Sequence, residues 1–192
     1  MEDLPTIGAT FGAAFEDDPV ARWVLGDRRL NDARVGVLYE ALAEGHIDDG
    51  LSSITSDGRC AAIWAAPGRY RVPTRRFLRH LPPMLRALGP GGLRRVISMA
   101  EVEKLHPREP HYYLAILGTH PDRQGRGYGL AAMAPILERA DAEGVGCYLE
   151  SSKEQNVPWY RRAGFEVTAT HDLGKSSGPR LWLMWRDPRP PG

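Results

Sequence analysis

The residues with the most evident chemical capacity are Gln124-Gly125-Arg126-Gly127-Tyr128-Gly129. They stand between an apolar run, 112–119, and a stretch with Leu130, Met133, Ala134, Leu137 and Asp141 at helical spacing. A glycine-rich turn leading from a strand into a helix stacks backbone N–H groups at the positive end of the helix dipole. Such a stack binds a pyrophosphate without a dedicated side chain. Gly125, Gly127 and Gly129 let the backbone approach the anion, and Arg126 can add a charge-assisted contact. No Gly-Lys-Ser/Thr closes the run, as a P-loop requires. A dinucleotide fold needs an acidic residue about 20 residues on. Glu143 and Glu150 lie at roughly that distance, so spacing alone leaves that reading open and the following segments decide it.

Further candidates lie downstream. Glu150 ends a strand-like run beside Cys147, Tyr148 and Leu149. Partial burial there would raise its pKa toward neutrality and suit it to remove a proton, whereas the alternative is a structural carboxylate bonded to backbone or an arginine. Asn156 and Tyr160 are four residues apart and share a helix face. Asn156 also reads as a helix N-cap, with Pro158 in the first turn and Gly164 as the stop. His106, His111 and His120 form no ligand set and read as loop or cap residues.

These residues need a scaffold. Periodicity and breakers predict helices over 5–15, 28–44, 74–88, 93–105, 127–143 and 157–162. Asp3 is the expected cap of the first helix, and Asp17-Asp18-Pro19 its break. Pro82-Pro83 interrupts the third, and Pro135 should bend the fifth. Strands are expected over 51–55, 59–65, 112–119, 146–150, 165–171 and 180–186, with Asp57-Gly58 joining the first two as a hairpin. Gly89-Pro90-Gly91-Gly92 reads as a turn.

The 192 residues suit one domain, 1–186, with a Pro-rich tail, 187–192. With 25 basic and 24 acidic residues the net charge is +1, which makes no electrostatic case for nucleic acid or an anionic membrane. Cys60 and Cys147 sit in apolar runs and read as buried thiols, not a disulfide, and no zinc spacing is present. No apolar run approaches the ~20 residues of a membrane span, and no signal segment is evident, so a cytoplasmic enzyme is expected.

From Asp3 to Arg186 the chain resembles the GNAT superfamily of N-acetyltransferases, densely after His106. Its Gln/Arg-x-x-Gly-x-Gly/Ala signature is met by Gln124, Gly127 and Gly129. Tyr148-Leu149-Glu150-Ser151-Ser152 resembles that family's fifth strand, and the segment from Asn156 to Gly164-Phe165 its next helix. Glu109-Pro110, Leu149 to Ser152 and Gly178-Pro179-Arg180 are most similar to the puromycin N-acetyltransferase branch. The resemblance implies an α/β (α+β) fold: a mixed, mostly antiparallel sheet with one splayed parallel pair, flanked by helices. That family normally opens with a strand, whereas the first helix here is expected almost at Met1, so the first edge strand is expected to be missing.

The resemblance further implies acetyl-CoA as cosubstrate. Its pantetheine amides would pair near Leu117, Gly118 and Thr119, and its pyrophosphate would meet Gly125 to Gly129. Asn156 would contact CoA, although many family members place their asparagine where Lys153 stands here. Tyr160 would protonate the departing thiolate, with simple packing as its alternative role. Glu150, or a chain of waters in its place, would take the proton of the attacking amine. The acceptor is expected to be a primary amine of a small molecule, such as an aminonucleoside, attacking directly through a tetrahedral intermediate. Phe15, Trp23, Trp64, Met99 and Tyr112 are the candidates for its pocket. Two alternatives stay open, a peptide N-acetyltransferase and a non-catalytic acyl-CoA sensor. No metal, nucleic-acid or membrane partner is expected, and the chain is expected to be a monomer or homodimer.

Overall fold

The apolar run after Pro110 builds the hub of the sheet. The computed structural model describes residues 4–26, 31–46, 50–71, 74–88 and 91–189. The helices are α1 (Leu4–Ala14), α2 (Pro19–Leu25), α3 (Asp32–His46), α4 (Thr74–Ala87), α5 (Gly92–Met99), α6 (Tyr128–Glu143), α7 (Val157–Arg162) and α8 (Leu173–Ser176). The strands are β1 (Ser53–Ile54), β2 (Cys60–Ala65), β3 (His111–Thr119), β4 (Gly146–Ser151), β5 (Glu166–Asp172) and β6 (Arg180–Arg186). They form one sheet in the order β1-β2-β3-β4-β6-β5. Every pairing is antiparallel except β3 with β4. This is the mixed α/β architecture expected from the sequence. Among the described residues no strand precedes α1, and the two-residue β1 forms that edge. No helix among them is long and apolar enough to cross a membrane.

The parallel pair is short. His111, Tyr112 and Tyr113 pair with Gly146, Cys147 and Tyr148, and beyond that the strands part. β3 continues to Thr119 against β2 alone, and β4 to Ser151 against β6 alone. A bulge in β3 sets what faces the gap. Ile63 pairs with Ile116 but Trp64 with Leu114, so Ala115 is an extra residue on β3. The alternation therefore switches there. Tyr112 and Leu114 pack toward α6, with Cys60, Ala62 and Trp64 of β2. Ile116 packs toward α1 and α3, with Ala61 and Ile63.

Several local departures from the expected elements have clear causes. Asp17-Asp18-Pro19 ends α1 but also starts α2: the buried Asp18 carboxylate accepts from Val20 N–H and Ala21 N–H, each at 2.9 Å, with Pro19 in the first turn. Helix 93–105 divides into α5 and a 3-10 turn at Val102–Leu105. α4 continues through Pro82 and Pro83, whose rings are both exposed, on the side where water can solvate the freed carbonyls. α6 likewise runs unbroken past Pro135. The short α8 was not anticipated. The Asp3 cap, residues 28–30 of the expected second helix, and Gly89-Pro90 lie outside the described residues. Both cysteines are buried free thiols, as expected.

Two contacts fix the sheet to its helices. A Cβ on Gly118 would lie 2.6 Å from Phe11 Cδ1 and 3.0 Å from Phe15 Cε2, so the bare backbone lets α1 settle on β3. On the other side the Arg186 side chain, 3 % exposed, makes two 2.7 Å hydrogen bonds to the Asp141 carboxylate, tying β6 to α6. Those bonds, with a further one from Arg189 N–H, hold the Asp141 carboxyl below its usual pKa.

Gly118→Ala is therefore expected to cost about 1–3 kcal/mol in urea unfolding, through overpacking against two rings. Asp141→Ala leaves a buried guanidinium unpaired and should cost about 3 kcal/mol at pH 7. Because the folded pKa of Asp141 is depressed, its contribution is present above an unfolded value near ~3.9 and is lost as pH falls through the folded value. The gap between wild type and Asp141→Ala should therefore narrow below about pH 4, as followed by urea titrations at each pH.

Candidate active site

The glycine turn lies where β3 ends. Gln124 Nε2 donates to the Thr119 carbonyl at 3.1 Å, folding the turn back onto the strand. Gly127 has φ +83° and serves as the N-cap of α6 with no side-chain cap. Only glycine adopts that backbone without strain. The first α6 hydrogen bond runs from Ala131 N–H to the Gly127 carbonyl at 3.0 Å, so the N–H groups just before it are left for an external acceptor. A Cβ on Gly129 would meet the Trp159 ring at 3.2 Å, so that glycine serves the approach of α7.

This turn is one wall of a cleft of about 460 Å³. Leu117, Gly118 and Thr119 form its floor, and Asn156, Trp159 and Tyr160 face them from the α7 side. Arg126 is exposed and outside the cleft lining; the cations that line it are Arg123, Lys153 and Arg162. The residues between α1 and α2 close the mouth. Lys153 pairs with Asp17, and the Ser152 hydroxyl donates to Asp18, which also accepts from the Tyr39 hydroxyl at 3.1 Å.

Asn156 stands at the N-cap position of α7 but makes no side-chain cap hydrogen bond. A 3-10 turn, Glu154–Asn156, runs straight into the helix, so Asn156 has helical φ and ψ instead of the extended backbone of a capping residue. Its amide is thereby spared for the cleft. Gly164 does end the helix, at φ +96°, with Phe165 N–H bonding the Tyr160 carbonyl at 3.1 Å.

A second cavity of about 190 Å³ lies on the other side of the parted strands. Phe15, Leu117, Ser152, Asn156 and Tyr160 line both spaces, so the two meet there. Its other walls are mostly apolar or aromatic, including Tyr39, Leu42, Met99, Tyr113 and Leu181, with His46 and Ser151 among them. Glu150 is on this wall. Burial pushes its pKa up to about 7, and the nearby phenols of Tyr113 and Tyr148 offset only part of that. Neither phenol bonds Glu150 Oε1, which has no hydrogen-bond partner. Burial also raises the Tyr160 pKa, so its phenol stays protonated across the neutral range.

Thus Tyr160, Asn156 and Phe15 converge on the junction, Glu150 and Met99 line the smaller cavity beside it, and Gln124 to Gly129, apart from Arg126, line the cleft. Three acceptor-pocket candidates do not join them. Trp64 and Tyr112 face α6 in the core, and the Tyr112 hydroxyl bonds Glu143 at 2.5 Å. Trp23 packs against α8 and Gly178. The bulge explains the strand case, since Tyr113, not Tyr112, is on the cavity face. His120 is a cap residue as read, accepting from Asp122 N–H at 3.3 Å. His106 is also a cap residue, at the end of the 3-10 turn, whereas His111 instead opens β3; their side chains are buried side by side, with His106 Nε2 3.4 Å from Glu150 Oε1. Nothing in their spacing signals this, because one follows a 3-10 turn and the other opens a strand.

Comparison with known proteins bears on the fold and the family. The model of the Acetyltransferase (GNAT) family matches residues 73–165, which include β3, α6, β4 and α7. An uncharacterised N-acetyltransferase of Schizosaccharomyces pombe is 28% identical over 202 residues, covering 97% of this chain and 81% of that protein. Among solved structures, a Corynebacterium glutamicum protein described as histone acetyltransferase HPA2 and related acetyltransferase matches with TM-score 0.65 at 23% identity, over 98% of this chain and 93% of that one. Arylalkylamine N-acetyltransferase 2 of Aedes aegypti matches with TM-score 0.65 at 12% identity, over 97% and 94%. At these identities the structural likeness speaks for the fold alone, a fold that generally uses acetyl-CoA. The family model spans just under half of the chain, and with the relatives it supports an acyl-CoA-dependent N-acetyltransferase of the GNAT kind.

Proposed function

We propose that the chain transfers the acetyl group of acetyl-CoA to the primary amine of a small, largely apolar molecule. The observation that carries this reading is the meeting of two unlike cavities where β3 and β4 part: a long, polar, cation-lined cleft and a small aromatic pocket. The cleft suits acetyl-CoA. The α6 N-terminus and Gly125 to Gly129 would hold the pyrophosphate, with Arg123 and Arg162 nearby, and the unpaired edge of β3 near Leu117 to Thr119 would take the pantetheine amides. When bound there, the thioester supplies an activated acyl carbon at the junction.

The chain's own groups then have three tasks. The parted strands and Asn156 orient the acyl group toward the pocket. Glu150, ionised above about pH 7, takes the proton that the amine loses as its nitrogen bonds the acyl carbon. Tyr160 donates its phenolic proton to the sulfur as the C–S bond breaks, and is reprotonated from solvent. Its acidity is weakened by burial, but the same burial penalises a thiolate beside it, so the two shift together.

The pocket restricts the acceptor. Its described lining contains Glu150 but no lysine or arginine, which disfavours an acceptor with a carboxylate or phosphate next to its amine. At about 190 Å³ it encloses a small aliphatic or aryl group. A larger aminonucleoside such as puromycin would enter with its amine end only. Thiol release from acetyl-CoA should therefore be fastest with arylalkylamines and alkylamines, slower with agmatine and puromycin, and slowest with amino acids and peptides. Peptides outpacing every small amine would refute the acceptor assignment, and no release with any amine would refute the activity.

Gly127→Val should weaken CoA binding tenfold or more in calorimetry, about 1.4 kcal/mol, since the side chain both strains φ and blocks the anion. Unchanged affinity would place the pyrophosphate elsewhere. Tyr160→Phe should lower kcat by about 10²-fold while CoA affinity stays within about threefold. In the wild type kcat/KM should rise through pH 7 as Glu150 ionises, and in Glu150→Gln that limb should disappear from the pH profile.

A further inference from the structure

His106 and His111 lie behind Glu150 in a line of hydrogen-bonding atoms that ends on a backbone carbonyl. His111 Nδ1 is 2.7 Å from the Glu109 carbonyl oxygen. A carbonyl only accepts, so His111 Nδ1 carries a proton and, in the neutral ring, His111 Nε2 is a bare acceptor. His106 Nδ1 lies 3.2 Å from it and must be the donor. His106 Nε2 is then bare as well, and it faces Glu150 Oε1 at 3.4 Å. That oxygen has no other hydrogen-bond partner. The side chains of His106 and Glu150 are 3 % and 8 % exposed, and Tyr70 stacks on the His106 ring at 4.0 Å and 12°, fixing its plane.

Two lone pairs facing each other in a dry site repel, and one proton between them removes the repulsion. We propose that His106 and His111 are positioning residues that hold one shared proton against Glu150 and carry it away from the pocket, so that the base works as a three-membered relay. This rests on Glu150 being the base of the proposed acetyl transfer. In the relay step, the Glu150 O–H bond breaks as a His106 Nε2–H bond forms. The His106 Nδ1–H bond breaks as a His111 Nε2–H bond forms. The carboxylate is restored facing the amine, and the extra proton is on His111, whose neighbour Glu109 is exposed.

Other groups around the line set its balance. Tyr113 and Tyr148 face Glu150 from β3 and β4, His46 approaches from α3, Arg71 from the segment after β2, and Glu103 from the 3-10 turn. Burial pushes the His106 pKa down to about 3 and lowers that of His111. An imidazolium on either ring is therefore transient, and the resting proton belongs to the carboxyl end.

The test is ring-15N NMR of the histidines across pH 5 to 9, in the protein without substrate, so that its outcome is independent of acetyl transfer. Both rings should be neutral Nδ1–H tautomers at low pH in this range. Both should shift together through one midpoint, and that shared step should vanish in Glu150→Gln. An Nε2–H tautomer for either ring at pH 5, or rings that stay unchanged from pH 5 to 9, would overturn the relay. His106→Gln, which offers Glu150 an N–H donor instead of an acceptor, should move the acid limb of kcat/KM down by about one pH unit and lower the plateau. A purely structural role would leave the limb where it is. If no amine is acetylated at all, the acetyl-transfer reading falls while the NMR result still decides the relay.

Discussion

Two parallel strands that pair for three residues and then separate must leave backbone donors and acceptors facing a gap, and the rest of this molecule is arranged around that gap. β3 is held on its far side by β2 and β4 by β6, so neither strand can swing back to close it. The helices maintain the opening. α1 rests on Gly118, α7 on Gly129, and the Asp17–Lys153 and Asp18–Ser152 contacts tie the segment between α1 and α2 to the end of β4. The edge of a sheet, normally a liability, here lines a cleft instead.

The same gap separates two electrostatic environments. On the glycine side, helix N–H groups and arginines favour negative charge. On the pocket side, aromatic walls and burial penalise charge, which lifts the Glu150 pKa toward neutrality and keeps Tyr160 protonated. A carboxyl raised toward neutrality and a phenol that keeps its proton, the proposed base and acid, follow from this difference without any unusual residue.

Much of the scaffold was legible from pattern alone. The strands at 112–119, 146–150 and 180–186 and the helix at 127–143 matched within a residue or so, because each has strong periodicity bounded by Gly, Pro or Asp. α2 was missed because Asp18-Pro19 signals both a stop and a start, and only packing of Ala21, Val24 and Leu25 into the core tells which. The glycine turn proposed to hold the pyrophosphate was legible because it consists of consecutive residues. The proposed acceptor pocket was not. Its aromatics were chosen by type, and the Ala115 bulge switches the face, so Tyr113 reaches the cavity while Tyr112 does not.

What the sequence determined by itself is local: where backbone must turn left-handed at Gly127, where helices start and stop, and which short motif brings N–H groups together. Those properties depend on φ, ψ and near neighbours. The tertiary structure alone decided the properties that depend on burial and on distant partners. Asn156 keeps its amide free instead of capping, Arg126 gives way to Arg123 and Arg162, and His106 and His111 meet Glu150 across some 40 residues of chain. Desolvation and hydrogen-bond geometry are set by what folds around a group, and no spacing along the chain encodes them.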